Sequence, residues 1–302
     1  MQYQNLIKRI LSEEIDPAFA SRAEFIINHI QQKKPGVIVD LGCGRGFYTR
    51  LCAMLPYPTE IWAVDINKKY LERIERELDD QRIHFVNASI YRLPIKSSRA
   101  DLVICSEVLE HLVDDQKAMK TIYDLLRPGG IALITVPHRN YPFFWDPLNF
   151  ILERVFNTHI KKTIWWLAGI WADHERLYSE KDLLKKVQMQ GFEVTEVKRI
   201  LRYCWPGTHF MLYALGKNIV ERLGARGFDR FNLQPRPLAK ILAKIMRAPQ
   251  LFERPASSTD RYMDIAVCLK KTSSSSQQIA NCLVVSVGDL SNNKSLFLKI
   301  LL

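Results

Sequence analysis

The 302-residue chain has the composition of a globular protein, with 47% hydrophobic and 25% charged residues. This length suffices for one large α/β domain with insertions, or for two small domains, and its core needs no disulfides. The formal net charge is +11, and the window 198–254 holds twelve Lys or Arg against three Asp or Glu. We expect this basic window either to meet an anionic surface or to be a solvated face that aids solubility.

The start of the chain alternates charged with apolar residues and lacks the apolar core and cleavage site of a signal peptide. The uncharged apolar stretch 163–172 has ten residues, whereas a bilayer-spanning helix needs about 20. The six cysteines are scattered, and none forms a C-x-x-C pair. These features predict a cytoplasmic protein in a reducing compartment, which does not cross a membrane but can associate with its surface.

Helical and strand-like segments alternate along the chain. Residues 1–34 are predicted to be helical, with Asp16-Pro17 as a helix start. Apolar runs predict buried strands, with helical patterns between most of them, and these runs are 37–41, 60–64, 83–88, 101–106, 131–136, 192–200 and 263–269. This order predicts a parallel sheet with helices on both faces and ligands at the carboxyl ends of the strands.

Two inserts interrupt this alternation. The aromatic insert, residues 138–172, is predicted to form a lid, and its aromatic residues include Phe143, Phe144, Trp145, Trp165, Trp166 and Trp171. The basic insert, residues 201–258, is predicted to contain an amphipathic helix from Pro237. Its apolar stripe is Leu238, Ile241, Leu242, Ile245 and Met246, and Lys240, Lys244 and Arg247 face away. Such a helix lies on anionic lipid, covers an apolar pocket or packs on its own domain.

The first predicted strand ends in a glycine loop, VIVDLGCGRG, with glycines at 42, 44 and 46. Glycines let the backbone turn sharply and approach a ligand where a Cβ would collide. Phe47 occupies the position of the last glycine in the dinucleotide pattern, so a pyrophosphate cofactor is disfavoured. Asp65, at the end of the second strand, can accept hydrogen bonds from ribose hydroxyls. Together they predict a nucleoside site, although a tight turn and a helix cap are the structural alternatives.

With these motifs the sequence resembles the class I S-adenosylmethionine-dependent methyltransferase superfamily, especially the branch of ubiquinone-biosynthesis O-methyltransferases and similar small-molecule enzymes. The resemblance covers about residues 15–137 and 173–200, and it rests on VIVDLGCGRGFYTR, AVDINKKYLE, FVNASIYRLP, DLVICSEVLEHL, LLRPGGIALITVP and HERLYSEKDLLKKVQMQGF. It implies a Rossmann-like, seven-stranded, mostly parallel sheet with an antiparallel last strand. The methyltransferase domain would comprise residues 1–271, with both inserts as a lid, and residues 272–302 would be a linker and a poorly ordered tail.

The resemblance also implies how S-adenosylmethionine is held. The glycine loop is assigned to its methionine end, and the end of the second strand to its ribose and adenine. Ser89 stands where such enzymes usually have an acidic residue near the adenine amino group, and a serine oxygen can accept the same hydrogen bond. The residues predicted to bind the donor are Asp40, Gly42, Cys43, Gly44, Gly46, Asp65, Ile66, Ser89 and Ser106.

After the fourth strand, Glu107, Glu110 and His111 are spaced to share one helix face that points at the acceptor. Glu107 and His111 are candidate catalytic groups, as a base or a positioning group for an acceptor hydroxyl. The pattern E-x-x-E-H also resembles the metal site of small-RNA 2′-O-methyltransferases and of some quinone O-methyltransferases, with Asp173-His174 as a later ligand. Mg²⁺ or Zn²⁺ on Glu107, Glu110, His111 and His174 would acidify the hydroxyl. Alternatively, His111 only packs or caps.

We therefore expect methyl transfer to a hydroxyl or carbon of a hydrophobic small molecule or lipid-like intermediate, reached from an anionic membrane surface. One alternative is an RNA 2′-O-methyltransferase, suggested by the net charge and by E-x-x-E-H. Nucleic acid is the less favoured partner, because the basic window contains no recognisable RNA-binding module. A second alternative is a non-catalytic scaffold that keeps the cofactor fold to bind partners, as the departure at Ser89 would allow.

Overall fold

The structure, a computed structural model, describes residues 2–164, 167–216, 228–231, 234–253, 257 and 260–272. Its strands are β1 (Val37–Leu41), β2 (Glu60–Asp65), β3 (Ile83–Asn87), β4 (Ala100–Ser106), β5 (Leu126–Pro137), β6 (Phe192–Ile200) and β7 (Asp264–Lys271). These seven strands of the described residues form one sheet, in the order β3-β2-β1-β4-β5-β7-β6. Strands β1 to β5 pair in parallel, whereas β7 is antiparallel to both β5 and β6. The predicted mostly parallel sheet with an antiparallel last strand is confirmed.

Helices cover the sheet and form the inserts. They are α1 (Gln2–Ser12), α2 (Pro17–Lys33), α3 (Phe47–Ala53), α4 (Lys68–Glu77), α5 (Asp115–Leu125), α6 (Pro147–Phe156), α7 (Glu180–Met189) and α8 (Pro237–Arg247). The helical region predicted over residues 1–34 is thus two helices. Asp16 caps α2 by accepting hydrogen bonds from the N–H groups of Ala18 and Phe19 at 2.9 and 3.1 Å. Pro17 at the first helical position disfavours helical backbone at Asp16, so the chain breaks there.

Both faces of the sheet are buried, which explains why its strands are continuous apolar runs. In β4, Leu102 and Ile104 pack into the core that contains α2 and α3, on one face. Val103 and Cys105 pack into the core that contains α5 and α7, on the other face. Because successive side chains of a strand point to opposite faces, two covered faces require apolar residues at every position.

Helix α6 lies in the aromatic insert and α8 in the basic insert, as predicted for the latter. The predictions for Trp165, Trp166 and residues 273–302 fall outside the described residues. Within the described part of the chain, no helix combines the length and the apolarity needed to cross a bilayer.

Part of the charge of the basic insert is neutralised inside the protein. Arg230 pairs with Glu14 at 3.2 Å and with Asp16 at 3.6 Å, and Arg236 pairs with Glu13 at 3.6 Å. All three carboxylates are buried in the segment that joins α1 to α2. These ion pairs, which we call the clamp, hold the basic insert on this junction. Both arginines are therefore already paired within the chain.

Candidate functional site

The glycine loop after β1 lies at the carboxyl edge of the sheet and packs tightly on both flanks. Gly42 has a φ of +69°, and a Cβ there would lie 2.5 Å from Val108 Cγ2. Gly46 has a φ of +78°, and a Cβ there would lie 2.7 Å from Ile74 Cδ1. At Gly44, with φ +55°, a Cβ would meet no atom within 4 Å. The loop therefore keeps one backbone face open to a ligand, at Gly44.

Asp65 ends β2 and contacts the loop directly. Its Oδ2 accepts a hydrogen bond from the Gly44 N–H at 2.7 Å, and its Oδ1 accepts one from the Asn67 N–H at 2.7 Å. The cap of α4 is Asn67, whose side chain accepts from the Lys69 N–H. Each carboxylate oxygen of Asp65 has a further lone pair for a ribose hydroxyl. Ile66 is 76% exposed and offers apolar surface beside that position, as an adenine ring requires. These residues fit S-adenosylmethionine.

The remaining residues predicted to bind the donor are more enclosed. Asp40 is buried, and its Oδ2 accepts hydrogen bonds from Thr49 N–H at 3.0 Å and from Thr49 Oγ1 at 2.7 Å, which ties β1 to α3. Burial raises the pKa of Asp40 to about 6. Burial also raises the pKa of the Cys43 thiol, which stays protonated. Ser89 Oγ accepts from the Tyr91 N–H at 3.4 Å. Contacts of these three residues with the donor stay predictions.

A chain of polar contacts runs along the carboxyl ends of β4 and β5. Tyr48 OH lies 3.4 Å from Ser106 Oγ, which lies 2.8 Å from Thr135 Oγ1, which donates to Glu107 Oε1 at 2.9 Å. Glu107 has a φ of +55°, a left-handed conformation that costs a non-glycine residue backbone energy. Strain of this kind is concentrated at functional sites. Ser106 and Glu107, both predicted site residues, are thus brought together.

Arg22 and Asp264 complete this network, and the sequence analysis missed both. Arg22 is buried, donates to Asp264, and lies 3.5 Å from Glu107 Oε2. Although burial opposes the charge, Asp264 and Glu107 raise the pKa of Arg22 well above its usual range, so it is a fixed cation. The signals in the sequence are an arginine in the buried part of α2 and an aspartate opening an apolar strand.

The predicted helix face with Glu107, Glu110 and His111 is wrong. The left-handed backbone of Glu107 turns the chain as β4 ends, and only a single 3-10 turn, Leu109–His111, follows. Glu107 therefore lies outside the turn and faces Thr135 and Arg22, whereas Glu110 faces a separate cluster. A helix with its regular spacing never forms over these residues.

That cluster contains Glu110, His111 and His174, whose ligand atoms all lie within 4.8 Å of one another. Glu110 is fully buried, and no other described residue donates a hydrogen bond to its carboxylate. Its charge lacks compensation, so burial, followed by the charge of Glu107, raises the pKa of Glu110 well above its usual range. Three of the four residues predicted to bind a metal are thus juxtaposed, and Glu107 is not among them.

Both imidazoles of this cluster can act as neutral ligands. Burial, with a smaller contribution from His111, lowers the pKa of His174 to about 3. His111 Nδ1 lies 2.9 Å from the carbonyl oxygen of Asp173 and must donate to it, which leaves Nε2 with its lone pair in the neutral ring. His111 Nε2 lies 3.7 Å from Glu110 Oε1.

The basic insert reaches the glycine loop. Arg45 donates to Asp229 at 2.7 Å, and its guanidinium lies 4.1 Å from the centre of the Phe231 ring. Arg230 lies 3.9 Å from the ring of Phe19, which packs edge-on against Phe47 at the start of α3. The insert thus covers one side of the candidate donor site.

Comparison with known proteins agrees with this geometry. Residues 39–134 match the protein family described as "Methyltransferase domain". An uncharacterised protein of Synechococcus is 37% identical over 103 residues, which are 33% of this chain and 25% of that protein. A ubiquinone biosynthesis O-methyltransferase of Coxiella burnetii is 27% identical over 179 residues, which are 59% of this chain and 75% of that enzyme.

Among solved structures, an S-adenosylmethionine-dependent methyltransferase from Mesorhizobium loti has the same fold. The superposition has a TM-score of 0.50 at 20% identity, and it covers 81% of this chain and 95% of that one. The glycine loop and Asp65 both lie within the residues that the methyltransferase family matches. Residues 39–134 thus match a methyltransferase domain, and the sheet has the fold of an S-adenosylmethionine-dependent methyltransferase.

Proposed function

We propose that this chain transfers the methyl group of S-adenosylmethionine to a hydroxyl or carbon of a hydrophobic small molecule or lipid-like intermediate. The observation that carries the proposal is the meeting of two sites at one edge of the sheet. The open loop at Gly44 with Asp65 suits the donor, and the network of Ser106 and Glu107 lies beside it. The relative from Coxiella burnetii, named for ubiquinone biosynthesis, supports an apolar acceptor.

Aromatic side chains from both inserts adjoin this network. His209 stacks on Tyr213 with ring centres 4.9 Å apart and packs edge-on against Trp145 at 6.1 Å. The Tyr213 OH donates to Asp16 at 2.6 Å, and Asp16 caps the helix that carries Arg22. This cluster of aromatic side chains favours an acceptor whose body is apolar or aromatic.

Methyl transfer from a sulfonium requires an aligned acceptor above all, so positioning supplies most of the rate. Glu107, which contacts Thr135 and the fixed cation Arg22, would accept the proton of an acceptor hydroxyl. RNA is a weaker candidate, since arginines of the basic insert are paired with Glu13, Glu14 and Asp16.

A divalent metal on Glu110, His111 and His174 is part of the proposal. One carboxylate with two imidazoles suits Zn²⁺ or a similar transition metal better than Mg²⁺, which prefers oxygen ligands. Bonds of about 2.1 Å place tetrahedral ligands about 3.4 Å apart. Side-chain rotation would therefore have to shorten the longest separation between ligand atoms, 4.8 Å at most, by up to about 1.4 Å. When bound, the ion would acidify an acceptor hydroxyl.

Calorimetric titration of the chelator-treated protein with Zn²⁺ and with Mg²⁺ tests the metal site. We expect one Zn²⁺ per chain, and the variant Glu110→Gln/His174→Gln should weaken binding at least about tenfold. His84→Gln, a histidine stacked on Trp62, is the matched control. Equal affinity of the wild type and the double variant would remove the metal from the proposal.

The methyl-transfer proposal is tested with labelled S-adenosylmethionine and a cell extract, followed by partition between organic and aqueous phases. We expect label in the organic phase, and none with Asp65→Ala. Label confined to the aqueous phase would contradict the apolar acceptor and revive RNA or a polar metabolite. A wild-type chain that binds no donor in calorimetry would instead favour the non-catalytic scaffold.

A further inference from the structure

Helix α8 packs on the domain through its small side chains and leaves most of its large apolar ones outside. Ala239, Ala243 and Met246 are buried, and the helix contacts α1 and α2. Four members of the predicted apolar stripe are instead 63, 56, 41 and 52% exposed, namely Leu238, Ile241, Leu242 and Ile245. If α8 were an ordinary surface helix, these side chains would be buried and the alanines exposed.

Trp205 extends this apolar surface. Its Nε1 donates to the carbonyl oxygen of Ile245 at 2.8 Å, and the residue is 42% exposed. Beyond the end of α8, Leu251 and Phe252 are 86 and 80% exposed. We call Trp205 and the four exposed stripe residues the α8 surface. Contiguous apolar surface of this kind marks a site of interaction.

The charges of α8 indicate the kind of partner. The helix has the sequence PLAKILAKIMR, which contains basic but no acidic residues. Lys240 and Lys244 are exposed and one turn apart. Arg247 differs from them, because its guanidinium donates to the carbonyl oxygens of Leu11 and Glu14. The two lysines are thus the charges available to an anionic partner, and a second copy packed on the same surface would bring like charges together.

We propose that the α8 surface docks the protein on an anionic lipid bilayer. The helix would lie in the plane of the interface, with its apolar side chains among the acyl chains and Lys240 and Lys244 at the phosphates. Tryptophan is favoured at such an interface, because its ring is apolar while its N–H is polar.

The helix that carries the docking surface is connected to the candidate site through α2. Arg247 fixes the end of α8 to the junction of α1 and α2. A few residues further along α2, Phe19 packs on Phe47 and Arg22 contacts Glu107. A lipid-like acceptor could thus pass from the bilayer to the site, and this step rests on the proposed function. The docking of α8 on the bilayer does not depend on the proposed function.

Co-sedimentation of the full chain with vesicles tests docking without donor or acceptor. One vesicle contains phosphatidylcholine and phosphatidylglycerol in equal parts, and the other contains phosphatidylcholine alone. We expect at least about tenfold stronger binding to the anionic vesicle, since each basic residue contributes about fivefold near such a surface. Lys240→Glu/Lys244→Glu should abolish that preference, and Ile241→Asn/Ile245→Asn should weaken binding to it at least about tenfold.

Lys69→Glu/Lys185→Glu changes two exposed helical lysines elsewhere and is the matched charge control. Met189→Asn, at an exposed residue of α7, is the apolar control. Both should bind like the wild type. Unchanged binding of Lys240→Glu/Lys244→Glu, or equal wild-type binding to both vesicles, would overturn the proposal. A wild-type dimer in light scattering that Ile241→Asn/Ile245→Asn converts to a monomer would overturn it in favour of a second copy.

Discussion

At the scale of single residues, neighbouring positions around the glycine loop have different roles. Some face the space available to a ligand, whereas others, including Asp40, pack inside the protein. Gly44 faces open space, whereas Gly46 lies against Ile74. Asp40 lies directly before this loop in the chain but is buried against Thr49. Residues that are neighbours in the sequence therefore have different environments in the structure. Substituting them one at a time tests which of them contact the ligand.

Gly44→Ala and Gly46→Ala form a matched pair. Both place an L-residue at positive φ, which costs about 1–2 kcal/mol. Gly46→Ala also collides with Ile74 and should cost about 1–3 kcal/mol more in urea unfolding. Gly44→Ala fills the open face and should weaken S-adenosylmethionine binding at least tenfold (about 1.4 kcal/mol) in calorimetry. Wild-type affinity of Gly44→Ala would show that the donor does not approach there.

Asp40 makes stability depend on pH. Because burial raises its pKa from 3.8 to about 6, the stability that this group contributes is present at low pH and is lost as pH rises through about 6. Asp40→Asn removes the titration. Relative to wild type, its unfolding free energy should rise by roughly 1.4 kcal/mol between pH 5 and pH 8. Urea unfolding at several pH values measures this, with exposed Asp79→Asn as control, and a constant difference would contradict the buried charge.

At the scale of elements, the basic insert is held by buried charges instead of by an apolar interface alone. Glu14 and Asp16 lie between α1 and α2, and Arg230 reaches both. Burial raises the pKa of Glu14. At Asp16, burial also acts to raise the pKa, but the charges of Arg230 and Arg22, together with hydrogen bonds from Tyr213 and Phe19, hold it below its usual value. The clamp therefore depends on the arginine.

Arg230→Ala should destabilise the protein by about 3 kcal/mol, because it leaves buried carboxylates uncompensated. The loss should be smaller at pH 5 than at pH 8, since Glu14 can take up a proton. Adding Glu14→Gln should restore part of the loss. Arg73→Ala, which removes an exposed pair with Glu77, is the control and should cost less than about 1 kcal/mol in urea unfolding. Equal losses for both arginine variants would rule out the clamp.

At the scale of the whole molecule, the thiols report on global opening. Cys43, Cys52, Cys105, Cys204 and Cys268 are all buried free thiols. Burial raises the pKa of Cys204 to about 12 and that of Cys43, Cys52 and Cys105 further, which suppresses the reactive thiolate. These thiols need opening of the core to react.

In a Cys282→Ser variant, which lacks the one cysteine outside the described residues, thiol labelling should be at least about 100-fold slower in native protein than in guanidinium. The five buried cysteines should react together. One cysteine reacting as fast natively as when unfolded would contradict the buried core. An absorbance assay with an aromatic disulfide reagent follows the reaction.

The sequence by itself determined the strand order along the chain, the cap at Asp16-Pro17, the glycine loop and the placement of Asp65 at a strand end. These features depend on short-range physics, namely apolar runs, proline geometry and positive φ at glycine. Whether Asp40, Cys43 and Ser89 touch the donor stays a prediction.

Only the tertiary structure decided which distant residues meet. Arg22 and Asp264 are 242 residues apart, and His174, which follows the aromatic insert, joins Glu110 and His111 from a distant part of the chain. The tertiary structure also turns Glu107 away from the expected helix face and leaves the apolar stripe of α8 exposed on the surface. Such juxtapositions follow from sheet order and register, which are set by burial over the entire core, so no local pattern of residues contains them.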